Sequence, residues 1–116
     1  MSKFRKLLLR EYDGKCLISG TNTLKVLEAA YITPYLGDDT DVVENGILLR
    51  SDLHILWDLF VLYIDPETLK IHISDNLKET EYYHYHGKIV ELPETLNIRN
   101  ALRHHMFECK NKGWGD

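Results

Sequence analysis

The sequence predicts a mixed α+β domain, and three observations support this. Apolar residues recur at helical spacing over residues 3–12, which is typical of an amphipathic helix. Residues 24–32, LKVLEAAYI, form a β-rich run that ends just before Pro34. Residues 61–74, VLYIDPETLKIHIS, contain two β-rich runs joined by a turn sequence, which indicates a hairpin. The predicted order is helix, strand, turn, strand, helix, hairpin, helix.

The N-terminal helix is expected to end at Asp13-Gly14, a turn pair, after burying one apolar face. That face consists of Phe4, Leu7, Leu8 and Tyr12. The remaining surface is basic, and it is either a solvated face or one that contacts phosphates. Its candidate nucleic-acid-binding residues are Arg5, Lys6 and Arg10.

The elements after the first strand follow from shorter signals. Residues 45–50, NGILLR, predict a turn and a strand, and residues 51–60, SDLHILWDLF, predict a helix. Ser51 is the expected N-cap, and Asp52 lies in the first turn, where a helix favours negative charge. Residues 82–93 are expected to contain more extended chain. The last helix is expected over residues 95–110, with core positions Leu96, Ile98, Leu102 and Phe107.

Length and composition narrow the class of protein. A chain of 116 residues is expected to form one domain, residues 1–116. Its net charge of −4 argues against a surface built throughout for nucleic acid, although a local basic face remains compatible with it. Cys16 and Cys109 are far apart and form no C-x-x-C pair, so neither a zinc knuckle nor a disulfide framework is encoded. With no membrane span and no signal peptide in the pattern, we expect a cytoplasmic location.

One pair of residues in the middle of the chain has the spacing of a metal site. His54 and Asp58 are four residues apart on a predicted helix and therefore share a face. An imidazole nitrogen and a carboxylate oxygen at that spacing can reach a single divalent ion. The same spacing is common by chance, and the alternative is an exposed His54 with Asp58 paired to a nearby cation.

Three segments in a consistent order resemble the HNH endonucleases, the ββα-metal nucleases. They are LEAAYITPY, NGILLRSDLHILWD and the IDP of the following hairpin, and the resemblance covers residues 16 to about 75. The most similar branch reads EAAHIxPY, then NGLLLRxDLHxLFD. The resemblance implies a ββα-metal core with a flanking N-terminal helix, an extra β-hairpin and a C-terminal helix. It also implies metal-dependent hydrolysis of DNA phosphodiester bonds.

The resemblance also assigns roles to individual positions. It places Tyr31 where the family has its general-base histidine, Asn45 as the brace of the loop between the strands, and His54 as a metal ligand. Asp58 is a further candidate ligand one helical turn beyond His54. Ala30 occupies a position that supplies a metal ligand in many relatives, and it cannot coordinate. Such an open ligand set suits Mg²⁺ or Mn²⁺, which keep several waters; no structural zinc is expected.

The tyrosine at position 31 raises the question of whether this chain can cleave DNA. An ordinary tyrosine has a pKa near 10, so only about 0.3% is ionised at about pH 7.5. Three hypotheses follow: a substitution in an otherwise intact nuclease, a tyrosine that acts as an unusual base or nucleophile, or an inactive module. The inactive module would bind DNA or another protein on the HNH fold. The resemblance therefore favours an enzyme, an HNH endonuclease, and the tyrosine predicts weak or no activity.

The resemblance implies DNA as the partner and no membrane. Arg50, close to the start of the metal-binding helix, joins the basic residues of the first helix as a candidate DNA contact. Family members often carry a separate recognition domain, and cutting both strands usually needs two sites, so a recognition domain or a homodimer is expected to complete the function.

Overall fold

The mixed α+β class is confirmed by a computed structural model, which describes residues 2–34, 36–37, 40–94, 96–112 and 114. The helices in these residues are α1 (Lys3–Glu11), α2 (Ser51–Asp58) and α3 (Arg99–Asn111). The strands are β1 (Leu27–Tyr31), β2 (Gly46–Arg50), β3 (Leu62–Ile64) and β4 (Ile71–Ile73). None of the described helices is long and apolar enough to cross a membrane. The order of these elements along the chain is the one predicted from the sequence.

β1 and β2 form an antiparallel hairpin that lies between α1 and α2. The register pairs Leu27 with Arg50 and Tyr31 with Gly46. Gly46 lets α1 approach the sheet, because a Cβ at this position would lie 2.7 Å from a methyl group of Leu8. Burial of apolar side chains on both faces of the hairpin fixes its position. α2 follows β2 directly in the chain and packs on the opposite face from α1.

The start of α2 differs from the prediction in one respect. Arg50, in extended conformation, is the N-cap residue, whereas Ser51 is the first residue of the helix. The hydroxyl of Ser51 donates a hydrogen bond to the carbonyl of Val26 at 3.0 Å, which ties the helix to the chain before β1. Leu53 and Trp57 are the buried residues of the helix and fix its orientation on the hairpin.

The second hairpin, β3 and β4, matches the prediction. Its turn is held by Asp65, whose Oδ1 accepts hydrogen bonds from the backbone N–H groups of Glu67 and Thr68 at 2.8 and 3.0 Å. These two bonds hold the pKa of the Asp65 carboxyl below its usual value. Leu69 completes the turn with a φ of 61°, in the left-handed region.

Within residues 82–93, where some extended chain was expected, the first part forms a turn. Glu81–Tyr85 form a 3₁₀ turn, which begins where the Thr80 hydroxyl accepts a hydrogen bond from the Tyr82 N–H. The turn brings His86 back to the second hairpin, where its Nδ1 accepts from the Ile73 N–H at 3.0 Å. Only Ile89, bridged to Lys70, pairs as a strand would.

α3 begins at Arg99, later than predicted, and presents a different face to the core. Leu102, His105 and Cys109 are its buried residues, at helical spacing. Phe107 falls between them on the outer side and is 61% exposed, so its assignment to the core was wrong. Leu96 and Ile98, just before the helix, are buried as predicted.

Candidate active site

The candidate site centres on His54, whose ring lies between two carboxylates. Its Nδ1 is 2.7 Å from Oε1 of Glu28 in β1, and its Nε2 is 3.2 Å from Oδ2 of Asp58 in α2. The side chains are 24% exposed for His54, 46% for Glu28 and 62% for Asp58, so the cluster opens to solvent. His54 and Asp58 therefore share one helix face, as the sequence predicts, and Glu28 of β1 contributes a second carboxylate.

The position of the proton on the His54 ring decides what its two nitrogens can bind. A neutral imidazole has one N–H donor and one acceptor nitrogen, whereas an ionised carboxylate only accepts. If the proton lies on Nδ1, towards the closer carboxylate, the lone pair of Nε2 faces the oxygen of Asp58. That pair of acceptors is favourable only when a second proton or a cation is shared between them.

The donor set fits a weakly held, largely hydrated divalent ion. Nε2 of His54 and Oδ2 of Asp58 are a nitrogen and an oxygen donor on adjacent turns of one helix. Over the described part of the chain, no group of three or more His, Cys, Asp or Glu side chains is arranged to hold a metal. Two protein ligands suit Mg²⁺ or Mn²⁺, which complete their shells with water and phosphate oxygens. Ala30, fully buried opposite Ile47, adds no ligand.

Tyr31 is the last residue of β1 and projects to the face that α1 covers. Its ring stacks on Phe4 with centroids 4.5 Å apart and an angle of 9° between the planes. Its hydroxyl donates a hydrogen bond to Oδ1 of Asp41 at 3.0 Å. Side chains three positions apart in a strand point to opposite faces, so Tyr31 and Glu28 lie on different sides of the hairpin. The hydrogen bond to Asp41 thus engages the phenol proton of Tyr31 on the face of the hairpin away from His54.

Asn45 fixes the loop between β1 and β2. Its side chain is almost fully buried, and its Oδ1 accepts from both the N–H and the hydroxyl of Thr33 at 2.9 Å. Its amide donates to the carbonyls of Thr33 and Thr40 at 3.2 and 3.0 Å. The carbonyl of Asn45 accepts from the Ile32 N–H at 2.8 Å, next to position 31. This is the geometry expected of a loop brace; a part for Asn45 in catalysis stays a prediction.

Arg50 is held in an ion pair that the sequence analysis did not foresee. Its Nε and Nη2 donate to the two oxygens of Asp52 at 2.7 and 3.1 Å. The hydroxyl of Tyr82 donates to the same carboxylate at 2.8 Å. These bonds, that from Arg50 first, hold the pKa of Asp52 below its usual value, and the pair raises the pKa of Arg50. Any DNA contact by Arg50 would compete with Asp52.

The basic residues of α1 lie across the hairpin from His54. The guanidinium of Arg5 donates to the carbonyls of Leu27 and Leu24, so it supports the entry into β1. Lys6 and Arg10 are exposed on α1 and remain accessible to a partner. DNA contact by these residues stays a prediction.

Two residues next to the predicted site, Glu28 and His105, had no assigned role among the candidate site residues. Glu28 carried a signal, since it is a lone carboxylate within the otherwise apolar run LEAAY, but no spacing rule relates it to His54. His105 of α3 is buried, stacks on Trp57 with ring centroids 3.8 Å apart, and contacts the Leu62 carbonyl through Nε2 at 2.9 Å. Burial lowers the pKa of His105 to about 4. His105 therefore packs against Trp57 of α2 as a neutral ring.

Comparisons with known proteins identify one family model and one solved structure that this chain resembles. Residues 16–65 match the family model HNH_2, described as HNH endonuclease. Among solved structures, a "Modification dependent TagI restriction endonuclease" matches with a TM-score of 0.64 and 22% sequence identity. The match covers 89% of this chain and 36% of that chain, so this chain spans only a little over a third of that structure, and at this identity the likeness shows the fold. No curated protein matches the sequence significantly.

Proposed function

We propose that this chain, whose residues 16–65 match the HNH endonuclease family model, is a metal-dependent DNA endonuclease domain impaired at its general-base position. The observation that supports it most is the cluster of Glu28, His54 and Asp58. This cluster lies on a β-hairpin followed directly by a helix, the unit that the family model matches.

His54 and Asp58 are the residues that would hold the divalent ion. When bound, such an ion supplies charge stabilisation to the oxygens of the scissile phosphate. The protein's part is to present Nε2 and Oδ2 on one helix face while leaving the remaining positions to water and substrate. The exposure of both side chains is consistent with access for a DNA backbone.

The chain lacks a competent base at position 31. Activation of water requires a group that can take a proton near neutral pH, within hydrogen-bond reach of that water. A phenol with an ordinary pKa near 10 does this poorly, and the hydroxyl of Tyr31 already donates to Asp41. Losing a positioned base is expected to lower the rate by about 10²-fold or more.

A second candidate function is supported by the contacts of Tyr31. Its stacking on Phe4 and its bond to Asp41 are those of a residue with a structural role. A module that retains His54 and Asp58 and binds DNA without cutting it would show this combination. Cleavage and binding must therefore be measured on the same protein.

The charge distribution supports a weak DNA-binding domain that acts with a partner. The net charge is −4, and Arg50 is paired with Asp52, so affinity from phosphate contacts should be low and steeply salt-dependent. Since cutting both strands usually needs two sites, a separate recognition domain or a homodimer would complete this function.

The experiment combines plasmid nicking with DNA binding measured by fluorescence anisotropy. The protein is tested with Mg²⁺, Mn²⁺ or EDTA, beside His54→Ala and the control His104→Ala, which changes an exposed histidine of α3. The main proposal expects slow nicking that disappears in EDTA and in His54→Ala but persists in His104→Ala. Binding without nicking would favour the second candidate. Neither activity at low salt would contradict both.

A further inference from the structure

We propose that Glu28 is a positioning residue, which holds the proton of His54 on Nδ1 and so leaves Nε2 free to bind a cation beside Asp58. The inference rests on the metal site of the proposed function and adds a residue to it. It is carried by the 2.7 Å contact between Nδ1 and Oε1 of Glu28, the shorter of the two contacts of the ring.

The backbone fixes both partners of this contact independently. Glu28 is paired with Leu49 in the β1–β2 register, and its carboxylate therefore has a set place on the α2 face of the hairpin. His54 is held by α2, whose orientation is set by the burial of Leu53 and Trp57. The two residues are 26 positions apart in the sequence, so their contact depends on the packing of the helix on the hairpin.

The two carboxylates compete for a single proton. A neutral His54 can donate either from Nδ1 to Glu28 or from Nε2 to Asp58. In the second case Nε2 of His54 and Oδ2 of Asp58 are hydrogen-bonded to each other, and Nε2 has no lone pair for a cation. The shorter contact to Glu28 favours the first case, in which Nε2 keeps its lone pair. Metal-binding histidines usually donate their other N–H to a carboxylate or a carbonyl in this way.

A purely structural role for Glu28 predicts a different pattern of effects. Its side chain is 46% exposed, and ion pairs at such positions contribute little to stability. If Glu28 only helped the fold, its removal would alter unfolding and leave the chemistry of the His54 ring unchanged. A positioning role predicts the reverse: similar stability, a changed tautomer and weaker metal binding.

The test uses Glu28→Ala, Glu28→Gln and the control Glu108→Ala, which removes the same charge from an exposed site on α3. The tautomer of His54 is read from ¹⁵N–¹H correlation spectra of the metal-free protein at about pH 8, where an ordinary imidazole is neutral. Binding of Mn²⁺ alone is measured by electron paramagnetic resonance, with urea unfolding of each variant as the check on folding.

In the unsubstituted protein, His54 should carry its proton on Nδ1. Glu28→Ala should shift the proton towards Nε2 and weaken Mn²⁺ binding by about 10-fold or more. Glu28→Gln, whose amide oxygen can still accept, should retain part of the parental affinity, and Glu108→Ala should retain all of it. A parent already protonated on Nε2, or unchanged Mn²⁺ binding in Glu28→Ala, would overturn the inference. Failure of the parent itself to bind Mn²⁺ would instead overturn the proposed metal site on which it rests.

Discussion

Glu28 and Tyr31 leave the same strand on opposite faces of the first hairpin. Glu28 contacts His54 of α2 at 2.7 Å, whereas the ring of Tyr31 stacks on Phe4 of α1 at 4.5 Å. The candidate metal ligands thus lie on the α2 side of the hairpin and the ring of Tyr31 on the α1 side, so an imidazole at position 31 must turn away from Phe4 to reach a phosphate held beside His54. Because the two side chains lie on opposite faces, a substitution at position 31 should leave the contact between His54 and Asp58 unchanged.

Removing the Tyr31 hydroxyl should cost little stability. Tyr31→Phe keeps the stack on Phe4 and removes the hydrogen bond to Asp41, for an expected loss of about 0.5–1.5 kcal/mol. Urea unfolding of the parent, Tyr31→Phe, Asp41→Ala and the double variant forms a cycle that isolates the pair. A coupling energy indistinguishable from zero would show that Asp41 contributes nothing to the placement of Tyr31.

Asn45→Ala should be among the more damaging single substitutions. Asn45 is 6% exposed, and its side chain makes four hydrogen bonds to Thr33 and Thr40, all of which are lost on its removal. We expect a loss of about 2–4 kcal/mol in the free energy of unfolding. Asn100→Ala, at an exposed position on α3, should stay within about 0.5 kcal/mol of the parent. Equal effects would contradict the bracing role.

Stability should fall on acidification because His105 is buried in its neutral form. Burial lowers the pKa of His105 to about 4, whereas the unfolded chain has the ordinary value near 6.5. Between these values the unfolded state binds more protons, so stability is complete above about pH 6.5 and declines as the pH falls towards 4. The difference of about 2.5 pKa units corresponds to a loss of about 3 kcal/mol at most.

His105→Gln should flatten that pH dependence. Urea unfolding at several pH values between about 4 and 6.5 should show a smaller slope for His105→Gln than for the parent. His104→Gln, at the adjacent exposed position, should keep the parental slope. If all three proteins lose stability in parallel on acidification, other groups titrate in this window and the account of His105 is wrong.

Local rules predicted those parts of the site that lie within one element. The i, i+4 spacing placed His54 and Asp58 on one helix face, and the structure confirms the contact at 3.2 Å. The partnership of Glu28 with His54 required the register of β1 against β2 and the packing of α2, which no local pattern encodes. The ion pair of Arg50 with Asp52 was missed because the residue type alone suggested a phosphate contact.

Two features of the fold depend on geometry that the residue types alone did not indicate. Residues 82–93 are rich in tyrosine and β-formers, yet the Thr80 cap and the contact of His86 with Ile73 favour a 3₁₀ turn at their start. Phe107 was assigned to the core as a large apolar residue, but the helical phase set by Leu102 and Cys109 turns it to solvent. Tertiary contacts decided both cases.

The most direct test of the central claim is metal-dependent plasmid cleavage by Tyr31→His beside the parent. The account predicts that an imidazole at position 31 raises the cleavage rate by about 10²-fold or more in Mg²⁺ or Mn²⁺. It also predicts that EDTA, or the further change His54→Ala, abolishes the gain. A folded Tyr31→His protein that cleaves no faster than the parent with either ion would contradict the claim that this chain is a nuclease impaired at its base.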